Sequence, residues 1–211
     1  MDRCTYKFDK DYYEEKVNIF RKSSVTIFSG ITILVGCNGS GKTTLLNIIK
    51  ECQEKNENAV LLSYNDITSG RGTSIGQAIY TSNMRLAATL ACSSEGERIY
   101  TNIGVFASKI RKEIETKPNT TEVWLLFDAM DSGTSVDNII EFKQLFDMII
   151  EDNKNKDVFI IASANEYELA KDMNCLDVMR MNYRKFKNYG DYRNFIIKTR
   201  ELKDKRYEKK E

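Results

Sequence analysis

Histidine is absent from the 211 residues. That excludes imidazole general bases, His-based triads and His-ligated metals. Proline occurs once, at Pro118, in a KPNTT stretch before an apolar run, where a loop is expected. No apolar run approaches the ~20 residues that a spanning helix needs. Residues 1–20 lack the apolar stretch of a secretory signal. The five cysteines, Cys4, Cys37, Cys52, Cys92 and Cys175, are odd in number and scattered, and none forms a C-x-x-C pair. Reduced thiols in a cytoplasmic protein are expected from this, rather than a disulfide framework or a zinc site.

What is there suits a packed domain. Hydrophobic residues make up 41% of the chain and charged residues 30%, which is neither a disordered nor a membrane composition. The length bounds the chain to one domain of generous size, and no linker divides it, so residues 1–211 read as a single domain. Net charge is close to zero but uneven. Residues 180–211 hold twelve Lys/Arg against five Asp/Glu, and Tyr183, Phe186, Tyr189, Tyr192 and Phe195 interleave with them. Two readings of this basic end stand open: a nucleic-acid contact, or a solvated last helix whose aromatics pack inward.

Short apolar, β-branched runs recur at 25–28, 31–35, 59–63, 123–127, 158–162 and 178–181. Most are apolar on successive residues, as strands covered on both faces must be. Helical patterns lie between them, at 43–55, 75–92, 97–116, 136–152, 167–173 and 192–207. Alternation of this kind predicts an α/β fold with a largely parallel central sheet flanked by helices.

Residues 36–43, Gly-Cys-Asn-Gly-Ser-Gly-Lys-Thr, fit the phosphate-loop pattern G-x-x-x-x-G-K-[ST] between a buried-type strand and an apolar helix start. Glycines let successive N–H groups converge on one anion, and the helix start adds partial positive charge. Gly36, Gly39, Gly41, Lys42, Thr43 and Thr44 are thus candidate phosphate ligands. Lys42 would reach the β- and γ-phosphates of a nucleotide, and the Thr43 hydroxyl would ligate Mg²⁺. Residues 123–128, Val-Trp-Leu-Leu-Phe-Asp, form an apolar strand ending in Asp128, the natural second metal ligand beside such a loop. Asp137 follows in Thr-Ser-Val-Asp, where helix capping and function are equally supported.

Residues 93–98, Ser-Ser-Glu-Gly-Glu-Arg, precede Asp128 by about thirty positions, and Ser94 with Glu97 also reads as a capping box, as does Ser74 with Gln77. Taken together, the phosphate loop with T-T-L-L after it, S-S-E-G-E-R, W-L-L-F-D and D-S-G-T-S-V-D resemble the ordered motifs of ABC-type ATPases, across roughly residues 20–170. The resemblance implies a phosphate-loop ATPase head that uses ATP and Mg²⁺. It also implies an ATP-induced homodimer in which Ser94, Glu95, Gly96 and Glu97 face the opposite copy's nucleotide. Asn38 and Ser40 match residues of the family's loop, Asp137 its D-loop, and Gln77 the glutamine that senses Mg²⁺ and γ-phosphate. The short region between loop and signature leaves no room for a coiled-coil insertion. A compact stand-alone form is therefore implied, similar to small bacterial and phage proteins of DNA repair or defence, by analogy of fold. A DNA or protein partner, and no membrane, go with that branch.

Two positions depart from the family pattern. Ala129 stands where a water-orienting glutamate follows the metal aspartate, and Asn165 stands at the switch histidine. Alanine cannot polarise water, so slow hydrolysis is expected, with Asp131 or else Glu166 in the glutamate's place. An ATP-gated switch that does not hydrolyse is the alternative. Tyr12, Tyr13 and Phe20 are adenine-stacking candidates that core packing explains equally well. Arg71, in the glycine-flanked S-G-R-G, is either a phosphate or partner contact or a solvated turn arginine.

Overall fold

The computed structural model describes residues 3–7, 20–65, 107–108, 110–132 and 134–208. Eight strands are found there: β1 (Arg3–Lys7), β2 (Ser24–Phe28), β3 (Gly30–Val35), β4 (Ala59–Asn65), β5 (Glu122–Asp128), β6 (Asp157–Ser163), β7 (Cys175–Asp177) and β8 (Asn182–Arg184). The named helices are α1 (Lys42–Gln53), α2 (Val136–Asp152), α3 (Tyr167–Ala170) and α4 (Tyr189–Glu208). Residues 107–108 and 110–116 are helical as well, within the predicted 97–116. The predicted helix over 75–92 lies outside the described residues.

β4, β5, β6, β3 and β7 run parallel in that order, and β8 closes the six-stranded sheet antiparallel to β7. β1 and β2 form a separate antiparallel pair. This is the α/β architecture that the alternation predicts. Successive side chains leave a strand on opposite faces, and the core divides accordingly. Val123, Leu125 and Phe127 join Ile139, Phe142 and Phe146 of α2 on one face. Trp124 and Leu126 join Leu45, Leu46 and Ile49 of α1 on the other, along with Tyr6 and Ile27 from the small sheet. The Trp124 and Phe159 rings of neighbouring strands stack there at 4.0 Å.

Residues 178–181 are a correction to the sequence reading. They are not a strand but the turn that joins β7 to β8. Their apolar character has another cause: Val178, Met179 and Met181 are buried in the α1-face core. The Asp177 carboxylate organises the turn by accepting the Met179 and Arg180 N–H groups at 3.0 and 3.2 Å and the Arg180 guanidinium at 3.0 Å. A local side-chain acceptor of this kind competes with a strand ladder. The helix predicted over 167–173 stops at Ala170, because Lys171 is extended and Asp172 takes a positive φ of 62°. α4 starts three residues before the predicted 192, where the Asn188 side chain accepts the Asp191 N–H at 3.0 Å and caps the first turn.

Phe146 is fully buried between α2 and the sheet, whereas Met148 on the same helix is 60% exposed. Phe146→Ala is expected to cost about 3–5 kcal/mol in urea unfolding, and Met148→Ala less than about 0.5 kcal/mol. Equal costs would contradict this assignment of the α2 faces.

Candidate functional site

Parallel strands end at one edge, so the loops after β3, β5 and β6 meet there. Asn38, Gly39, Ser40, Gly41, Lys42, Thr43 and Thr44 from the first loop, Asp128 and Ala129 from the second, and Ser163 and Asn165 from the third line a cavity of about 310 Å³. The phosphate-loop motif is therefore brought against the predicted metal carboxylate and against the Asn165 position.

The loop's shape follows from its glycines. A Cβ on Gly36 would lie 2.4 Å from the Ser40 Oγ, so only glycine lets the loop fold back on itself. Gly39 and Gly41 have φ of 74° and 99°, values that side chains with a Cβ rarely adopt. Gly41 occupies the N-cap of α1 with no side-chain cap, and the helix has no acidic residue in its first turn. The positive end of α1 is thus left to an external anion.

Two polar groups in the loop are held at a cost. The Ser40 Oγ is buried without a hydrogen-bond partner. Lys42 is 9% exposed, and its ammonium donates to the Gly36 carbonyl at 2.9 Å. Burial pushes its pKa down, against the opposing pull of Asp131 and then Cys37 and Asp128.

Ser163, which the sequence analysis did not single out, ties the second loop to the third. Its hydroxyl accepts the Ala129 N–H at 2.7 Å and donates to the Asp128 carboxylate at 2.7 Å. The only sequence signal is a serine directly after the apolar run 158–162. Ala129 itself has a φ of 53°, a left-handed conformation that costs about 1 kcal/mol outside glycine.

Asp131 does not line the cavity. It is 1% exposed, and its Oδ2 accepts the Asn165 and Glu166 N–H groups at 2.6 and 2.7 Å, while its Oδ1 takes the Asn165 amide at 3.3 Å. That geometry suits holding Asn165 better than taking a proton from water. Burial pushes the Asp131 pKa up, partly offset by those N–H donors. Asn165 is also gripped from α4, whose Tyr192 hydroxyl donates to its carbonyl at 3.0 Å.

Glu166 is exposed and serves as the N-cap residue of α3. Asp137 is exposed in the first turn of α2, behind the Ser135 cap. Phe20 is buried in the α1-face core. Tyr12, Tyr13, Arg71, Ser74, Gln77, Ser94, Glu95, Gly96 and Glu97 lie outside the described residues. No helix among the described residues is long and apolar enough to cross a membrane.

Residues 20–191 match the family model described as ABC transporter. A comparison with curated proteins gives no match.

The raised Asp131 pKa has a measurable sign. Ionising this carboxyl costs the folded state more than the unfolded chain, where its pKa is about 3.9. Its stabilising share is therefore full below pH 4 and is lost as pH rises through the raised folded value. Wild-type stability relative to Asp131→Asn is expected to fall as pH rises above about 4 in chemical unfolding. A flat difference would contradict the raised pKa.

Proposed function

The chain belongs to the ABC transporter family, and from that we propose that it binds ATP with Mg²⁺ at the carboxyl edge of its sheet and hydrolyses it slowly between two copies of itself. One observation carries the reading. The uncapped start of α1, the partnerless Ser40 hydroxyl and the desolvated Lys42 belong to one loop, and that loop faces Asp128 across one cavity. The helix-start N–H groups and the Ser40 hydroxyl are costly without an acceptor, Lys42 is desolvated against one backbone carbonyl, and a polyphosphate offers acceptors to all of them.

Mg²⁺ fits the hard oxygen donors present, the Thr43 hydroxyl and the Asp128 carboxylate. Gln77 is the proposed third group. When bound, the ion neutralises charge building up on the β- and γ-phosphates. The protein's own work is positional. Gly36, Asn38, Gly39, Ser40, Gly41 and Thr44 shape the loop, and Lys42 exchanges the Gly36 carbonyl for phosphate oxygens. Ser163 keeps Asp128 turned toward the loop. Asn165, oriented by Asp131 and Tyr192, presents an amide to the terminal phosphate.

What this chain lacks is a base for water at residue 129. Ala129 lines the cavity, and the buried Asp131 carboxylate is engaged with backbone N–H groups. Turnover is therefore slow, since losing the water-orienting group leaves phosphate positioning intact. In the sandwich, Ser94, Gly96 and Glu97 of each copy contact the nucleotide of the other.

Ala129 and Asn165 favour a second reading, in which ATP is not turned over but selects a conformation that binds DNA or a protein. Exposed Arg193, Arg200 and Lys205 on α4 are the surface for a polyanion.

Lys42→Ala is expected to weaken ATP binding about ten- to a hundredfold, read by calorimetry. Undiminished binding would overturn the site. Ala129→Glu is expected to raise steady-state phosphate release by about tenfold or more. No gain from Ala129→Glu would favour the switch. With ATP and Mg²⁺ the mass by light scattering is expected to double, and a mass that stays monomeric would remove the sandwich.

A further inference from the structure

α4 touches both walls of the cavity. Near its start, the buried Tyr192 hydroxyl donates to the Asn165 carbonyl at 3.0 Å. Near its end, the Lys203 ammonium donates to the Asn38 carbonyl at 3.1 Å. Eleven residues separate the two, about 16 Å along a helix.

The periodicity of α4 shows why Lys203 arrives there. Tyr192, Phe195 and Thr199 are buried, Leu202 is half-buried against the α1-face core, and Lys203 continues that face. Tyr192 and Phe195 instead belong to the α2-face core. The helix therefore crosses the carboxyl edge of the sheet, from one core to the other. Where an apolar residue would complete its inward stripe, a lysine is directed at the phosphate loop.

The contact bears on loop conformation. A trans peptide is rigid, so its C=O and the following N–H point in opposite directions. Gly39 is free to take either sign of φ, and the 38–39 peptide has little of its own to stop it flipping. Lys203 does not line the cavity, and its side chain would sit 3.7 Å from a Cβ placed on Gly39. By holding the Asn38 carbonyl toward α4, it leaves the Gly39 N–H turned the other way, toward the anion site. Its other neighbour is the exposed Asp204 carboxylate, at 3.8 Å.

We propose that α4 is a strap across the nucleotide site, with Lys203 as a positioning residue that keeps the Asn38–Gly39 peptide in its anion-binding orientation and Tyr192 as its anchor at Asn165. The family match ends at residue 191, before either strap residue. It rests on the reading of the loop as a nucleotide site. By linkage, any partner that lifts α4 lowers nucleotide affinity, and bound nucleotide holds α4 down.

The test compares full-length wild type, K203M, K203R and Y192F for ADP and ATP binding by calorimetry. Hydrogen exchange of residues 38–40 and of α4 is followed with and without nucleotide. K203M keeps the stem and removes the donor. It is expected to weaken binding about three- to tenfold, with the unfolding midpoint unchanged and faster exchange in the loop. K203R should restore affinity to within about twofold, since the guanidinium keeps donors at that reach. Bound nucleotide should slow exchange at the carboxyl end of α4 in wild type but not in K203M. K203M that binds like wild type, beside a wild type that does bind, overturns the strap and leaves the site standing. A wild type that binds no nucleotide overturns both.

Discussion

The parallel register of β5, β6 and β3 is the constraint on which the site depends. Leu34 pairs with Ser163 and Phe127 with Ala162, so the three strands finish level with one another. The phosphate loop, Asp128 and Asn165 can then meet although they are far apart in the chain. β6 is the middle strand of the three, which gives its last residue a particular task. Ser163 spans the gap by hydrogen bonding both to the Asp128 carboxylate and to the backbone after it. The flanking cores hold this register because a slip of one residue would turn every side chain to the wrong face.

Around that edge the protein keeps charge and polar groups in costly surroundings. Lys42 is buried against a backbone carbonyl, Ser40 has no acceptor, and Asp131 is buried beneath Asn165. A fold optimised for stability alone would not keep these together. An anionic ligand that accepted from the loop and matched the ammonium would reconcile them. The same electrostatics separate the two acidic residues. Asp128 reaches the cavity and suits a metal, whereas Asp131 is enclosed by N–H donors and suits the positioning of a neighbour.

The carboxyl-terminal helix joins this site to the remainder of the molecule. Its Tyr192 and Phe195 pack inward in one cluster with Phe186, and Arg184 lies over the Phe186 and Phe195 rings, whereas Tyr189 is exposed. Exposed basic residues remain on the other side of the helix. The residues that reach the nucleotide site do so by hydrogen bonds to main-chain carbonyls, which respond to loop shape rather than to side-chain identity.

Much of this was legible in the residues themselves. The parallel sheet was readable because strands covered on both faces must be apolar on successive positions, and the phosphate loop because its glycine spacing has few other uses. The run 178–181 misled for the same reason that the others succeeded. Burial alone made it apolar, and periodicity does not separate a buried turn from a short buried strand. Ala129 and Asn165 stood out as departures, but what surrounds them could not be read. Asp131 reads as a base on spacing, whereas the structure sets its carboxylate against the Asn165 and Glu166 N–H groups, which spacing could not show. The contacts of Ser163, Tyr192 and Lys203 could not be read locally, because their partners lie 35, 27 and 165 residues away. Local pattern determined the elements and the loop's chemistry, since both depend on residues near in sequence. Only the tertiary structure decided which carboxylate meets the cavity and which helix crosses it, because those contacts exist only once the strands have paired.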